Sequence, residues 1–176
     1  MVFSGNKWEK LPFGDPKANR VGSIGVFRGV HNINMDAKGR LAMPARQREP
    51  LVVLCEGRIV VTVEPKSPCL VIYPLPEWER IEQDIKSLPA LKPGVKRLQR
   101  QLLGYATDLE LDGNGRMLLP PALRDYARLD KKLVLVGQGN KFELWAEDMW
   151  RAEVAQPALD PDAGEELADE LLQLQL

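Results

Sequence analysis

The 176 residues carry 24 Lys and Arg against 25 Asp and Glu, a formal net charge of −1, with 44% hydrophobic and 28% charged residues. This is an ordinary globular balance, in a chain long enough to bury a core without disulfides or a structural metal. Cys55 and Cys69, fourteen residues apart, and the lone His31 supply no zinc-ligand pattern, so the cysteines read as small buried hydrophobes in a reducing compartment. No apolar run approaches the roughly 20 residues of a membrane helix, and no signal-peptide pattern opens the chain; the expected location is the cytoplasm.

In chain order, residues 1–25 precede the first patterned segment. Ile33 and Met35 alternate with polar neighbours, which predicts a half-buried strand. A D-x-x-G-R turn follows, from Asp36 to Arg40. Gly39 ends it, where a left-handed backbone costs glycine nothing, and the Asp36 side chain can accept the turn amides. Leu41 and Met43 mark a second strand, and Pro44 suits the first turn of a short helix. Ile59 to Val63 reads as a strand, with a loop around Glu64 to Pro68. Pro76 to Leu88 has Trp78, Ile81, Ile85 and Leu88 at helical spacing. Gly94 to Gly104 is a second helix, with Lys96, Arg97 and Arg100 on a basic face that plain solvation would also explain.

The same pattern then returns. At an offset of 76, Asp36, Gly39, Arg40, Pro44 and Arg48 fall on Asp112, Gly115, Arg116, Pro120 and Arg124. Ile33, Met35, Leu41 and Met43 fall on Leu109, Leu111, Met117 and Leu119. Further on, Arg58 falls on Lys132 at an offset of 74, and Tyr73 and Trp78 fall on Trp145 and Trp150 at 72. Leu133 to Val136 is the second copy's third strand. Ordered matching over about 45 residues is an internal duplication. One copy has too few strands to bury both faces, and two interlocking copies could close a small barrel. The aromatic residues Tyr73, Trp78, Trp145 and Trp150 read as packing. After Pro157 come six carboxylates and no Lys or Arg; Glu165 to Leu174 is either an amphipathic helix or part of a solubilising tail.

Charge is unevenly spread. Without those six carboxylates the rest of the chain carries +5, and the segment Arg28 to Arg48 carries +4. Such a patch suits phosphate binding, or is simply a solvated face.

Four segments together resemble the MraZ family: VFRGVHNINMDAKGRLAMPAR (26–46), PCLVIYPLPEWERIEQ (68–83), LQRQLLGYATDLELDGNGRMLLPPALR (98–124) and LVLVGQGNKFELW (133–145). The resemblance covers about residues 26 to 155. It implies an α+β, β-rich fold of two tandem AbrB-like (swapped-hairpin) repeats with flanking helices. The divisions are an N-terminal extension 1–25, a first repeat 26–78, connecting helices 79–104, a second repeat 105–151 and an acidic tail 152–176. The resemblance also implies a ring-like homo-oligomer on nucleoid DNA. Its role would be regulation, as repressor or activator, of its own division and cell-wall gene cluster through repeated promoter elements. Members begin near Met-Phe-Arg-Gly; here Val26 stands at that Met, so translation starting at Val26 is the expectation. A mass spectrum of the native protein with Met1 intact would refute it.

Arginine at a tight turn can clamp a phosphate or bond a guanine edge. The expected DNA-binding residues are Arg40 and Arg116, with Lys38 on phosphate and Arg28 and Arg46 flanking the groove. Asp36, Gly39, Asp112 and Gly115 shape the turns; an Asp36–Arg40 ion pair is the plain structural alternative for that pair. Asn114 replaces Lys38 in the second turn, so unequal phosphate binding by the two loops is expected. No cofactor, metal, membrane or small-molecule substrate is expected. The chain shows neither G-x-S-x-G nor a phosphate-cradling G-x-x-x-x-G-K-[ST], and reads as a non-enzyme. A likeness to a calcium loop at Asp108, Glu110, Asp112 and Gly113 fails, because Arg116 and Leu119 stand at its ninth and twelfth positions. The rivals are an antitoxin-like protein binding DNA and a partner, and an assembly protein that does not bind DNA.

Overall fold

The computed structural model describes residues 27–156. The expectations about residues 1–25, a start at Val26 and the acidic tail beyond residue 156 lie outside the described residues.

The first copy runs β1 (Phe27–Asn34), β2 (Arg40–Ala42), α1 (Ala45–Cys55), β3 (Arg58–Val63), β4 (Leu70–Pro74) and α2 (Leu75–Ser87). After α3 (Pro93–Tyr105) the order repeats as β5 (Thr107–Glu110), β6 (Arg116–Leu118), α4 (Pro121–Tyr126), β7 (Lys132–Gly139), β8 (Phe142–Ala146) and α5 (Glu147–Val154). The chain is therefore mixed α+β and internally repeated.

The copies are not side by side. A six-stranded sheet has the order β1-β7-β8-β4-β3-β5, and β2 pairs with β6 in a separate ribbon. Each copy gives its first strand to the other. Ile33 of β1 pairs with Leu133 of β7, and the equivalent Leu109 of β5 pairs with Ile59 of β3. The register is the same in both pairings. The two ribbon strands cross at Leu41 and Met117, which are equivalent positions, so an approximate twofold axis passes between them.

The expected small barrel is not closed by hydrogen bonds: β1 and β5 are the two edges of the sheet and do not pair with each other. The physical reason lies in the ribbon. Each edge strand runs through its turn into β2 or β6, and Leu41 and Met117, 2% and 3% exposed, seal the core beside partly buried Ile33 and Leu109.

Alternation puts Ile59, Val61, Leu70, Ile72, Leu133 and Leu135 on that inner face, with Leu51 of α1 and Leu123 of α4. Phe27 stacks on Phe142 there, ring centroids 4.3 Å apart. The other face bears Cys69, Val134, Val136 and Trp145 under α5. Here the repeat recurs in detail: Tyr73–Trp78 and Trp145–Trp150 both have centroids 5.8 Å apart. These aromatics are packing residues, and both cysteines are free and buried. The Thr62 hydroxyl donates to the Leu102 carbonyl at 2.7 Å and ties α3 to β3.

The prolines sit one position earlier than the sequence predicts. Pro44 and Pro120 precede the helices, with ψ of 137° and 149°, and their carbonyls accept the first helical amides, from Arg48 at 2.9 Å and Arg124 at 3.2 Å. A fixed proline φ suits a cap as well as a first turn, and only ψ separates the two.

Candidate nucleic-acid interface

Each D-x-x-G-R turn is organised by its aspartate. One Asp36 carboxylate oxygen accepts the amides of Lys38 and Arg40, both at 2.9 Å, and the Gly39 amide donates to the Asp36 carbonyl at 3.0 Å. Asp112 accepts Asn114 and Arg116 in the same way at 2.8 Å, and Gly115 donates to the Asp112 carbonyl at 2.8 Å. Gly39 and Gly115 adopt φ of 88° and 72°, the left-handed region that glycine enters without strain. The amide bonds, led by those from Arg40 and Arg116, hold both carboxyls below the usual aspartate value.

The turns feed the ribbon, and the ribbon places the arginines. Leu41 and Met117 face the core, so their neighbours Arg40, Ala42, Arg116 and Leu118 face outward and are exposed. Arg40 lies opposite Leu118, and Arg116 opposite Ala42. The two arginines are therefore diagonal neighbours on one face, a relation that separates residues by about 7–8 Å, within reach of long side chains. This brings together two residues 76 positions apart in the chain. Lys38 and Asn114 are exposed at the turns beside them.

The copies differ in one contact. Arg40 Nε donates to Asp36 at 2.7 Å, so the ion pair considered as a structural alternative is present. That bond uses the inner nitrogen, Nε. No such side-chain pair links Arg116 to Asp112 among the described residues. Arg28 is exposed on β1, and its carbonyl accepts the Gln47 amide at 2.9 Å, which fastens β1 beside exposed Arg46 on α1. Arg28 and Arg46 lie on these elements and not on the ribbon.

Two further arginines belong to the site, and the sequence reading did not select them. A Cβ built on Gly39 would lie 2.9 Å from Nε and Cζ of Arg124; one on Gly115 would meet Cδ of Arg48 and lie 2.9 Å from its Nη1. Each turn is thus covered by an arginine from the other copy. Arg124 also lines an open cleft of 510 Å³ with Lys38 and Leu118. The signal that could have found them was their equivalence at the 76-residue offset. Leu118, 54% exposed, was also missed; it is an outward-facing apolar residue between charged ones, betrayed only by strand alternation.

These features define a class: a duplicated α+β protein that presents two equivalent arginine-bearing turns on one exposed ribbon. The chain belongs to the MraZ family, whose model, described as "MraZ protein, putative antitoxin-like", matches residues 26–101 and again 102–169. Similar proteins named Transcriptional regulator MraZ include one from Thioalkalivibrio sulfidiphilus, 64% identical over 71% of this chain and 83% of its own length. One from Pseudomonas aeruginosa is 59% identical over 72% of this chain and 84% of its own. One from Saccharophagus degradans is 56% identical over 86% of this chain and its full length. No helix among the described residues is long and apolar enough to cross a membrane.

Proposed function

We propose that this chain is a sequence-specific DNA-binding transcriptional regulator that reads DNA through the outer face of its β2–β6 ribbon. The observation that carries the reading is the placement of Arg40 and Arg116 as diagonal neighbours on one exposed face. Two guanidinium groups there can bond guanine edges in the major groove, which admits a two-stranded ribbon. Lys38 serves phosphate, Ala42 and Leu118 offer apolar contact to thymine methyl groups, and Arg28 and Arg46 flank the groove. The interleaved first strands support an AbrB-like, swapped-hairpin architecture. The names of the similar proteins, transcriptional regulators, support the regulatory role.

In this reading the protein works in the cytoplasm on nucleoid DNA and represses its own division and cell-wall gene cluster. It assembles as a ring-like homo-oligomer on repeated promoter elements, so that several ribbons bind one DNA through high effective concentration. It needs no cofactor and turns over no small-molecule substrate.

The test is fluorescence anisotropy with labelled DNA from upstream of the chain's own gene, against a scrambled fragment. Wild type binds selectively; Arg40→Ala, still folded and still oligomeric, loses that selectivity. Equal wild-type affinity for both fragments refutes the reading. The family description favours one second reading, an antitoxin-like protein that also holds a partner. Co-purification of a small toxic protein that survives loss of DNA binding would support it.

A further inference from the structure

We propose that Arg48 and Arg124 are positioning residues, each fixing the D-x-x-G-R turn of the opposite copy, so that neither DNA-facing turn is set by its own repeat alone. Three observations carry this. The contacts are reciprocal: Arg124 of α4 covers Gly39, and Arg48 of α1 covers Gly115. The backbone repeats the exchange, since Met43 donates to the Gly115 carbonyl at 2.8 Å and Leu119 to the Gly39 carbonyl at 3.0 Å. Arg124 Nε is buried with no hydrogen-bond partner among the described residues, so this nitrogen is packed against the turn and not bonded to it.

The physics favours arginine over glycine. The planar guanidinium lies flat on a surface, and only a residue lacking Cβ lets it approach the turn backbone this closely. A Cβ on either glycine would displace the arginine as well as strain the turn. The Arg48 charge reaches the turn it covers: behind the Arg116 amide, the Asn114 amide and the Arg116 charge, it is the smallest of the influences that lower the Asp112 carboxyl. Arg46 lies in the first turn of the same helix as Arg48, whereas Ala122 holds the equivalent place before Arg124. The second turn, which has Asn114 in place of Lys38, therefore has the more basic neighbouring helix.

Hydrogen exchange on the full-length protein without DNA tests the clasp directly, because the second, third and fourth amides after each aspartate are hydrogen-bonded within the turn. Arg124→Ala should speed exchange at Lys38, Gly39 and Arg40 by roughly tenfold and leave Asn114, Gly115 and Arg116 unchanged; Arg48→Ala should do the reverse. Acceleration in the arginine's own copy, in both turns equally, or in neither overturns the proposal. If an alanine variant fails to fold, the lysine variants keep the question open to decision: lysine retains charge but not the planar cover, so the same crossed pattern is expected.

The DNA arm rests on the proposed function and uses the labelled upstream fragment. Arg124→Ala should be non-additive with Arg40→Ala and additive with Arg116→Ala, and Arg48→Ala the opposite. Full rescue of binding by Arg124→Lys would make the residue a simple phosphate contact and overturn the positioning role. If no variant, Arg40→Ala included, alters DNA binding, the DNA reading fails while the exchange data still decide the clasp.

Discussion

A carboxylate that accepts two amides of its own turn is harder to protonate than a free one, and Asp36 and Asp112 are both in that position. Their folded values lie below the unfolded one near 3.8, so the stability they contribute is complete above that pH and is lost as pH falls through the depressed value. Thermal melts of wild type and Asp36→Asn/Asp112→Asn should therefore differ by a constant gap from neutrality down to about pH 5, and the gap should close below about pH 4. A gap that widens in acid contradicts this. The glycines are tested separately. Gly39→Ala places a side chain at φ 88° and against Arg124, and should cost at least about 1–2 kcal/mol in denaturant titrations. Gly113→Ala, in the second turn but with open space around it, should stay within about 0.5 kcal/mol of wild type. At this scale the sequence was readable: an Asp, a Gly and an Arg within five residues bond one another and shape the turn, while the arginine that covers it comes from the other copy.

The ribbon is three residues per strand, too short to persist alone, and its stability comes from the core beneath it. Leu41→Ala removes a side chain 2% exposed at the crossing of the two copies and should cost about 2–5 kcal/mol in chemical denaturation. Near-neutral behaviour would mean the ribbon is not anchored there. The helices show where sequence reading succeeds. Trp78 and Ile85 repeat at helical spacing and are buried in α2, within one residue of the span their spacing predicts. Pro44 and Pro120 show where it stops, because the same φ fits a cap or a first turn and the choice of ψ depends on where the chain arrives from.

For the whole molecule, exchanged first strands make the copies interdependent. Neither the β1–β7 nor the β3–β5 pairing exists within one copy. Calorimetry should show one cooperative transition, with calorimetric and van't Hoff enthalpies in agreement, despite the two family matches. Two resolved transitions would mean that the repeats fold separately. A net charge of −1 does not oppose DNA binding if the basic groups converge on one face. Affinity for the upstream fragment should then fall linearly with the logarithm of salt concentration, by about 0.9 log units per tenfold salt for each phosphate neutralised. A flat response would exclude a phosphate-dominated interface.

The sequence by itself determined the duplication, the turns and the order of strands and helices, because these depend on periodicity and on bonds spanning at most four residues. The choice of Arg40 and Arg116 as DNA-binding residues came from their place at the turns together with the family resemblance. Only the tertiary structure decided that the copies trade their first strands, that the sheet stays open, and that Arg48 and Arg124 cover each other's turns. Those outcomes depend on contacts between residues that are far apart in the chain and equivalent by repeat. An exchanged and an unexchanged pairing bury the same side chains on the same faces, so the hydrophobic pattern fits both equally well, and the path of the connecting chain through the ribbon selects between them.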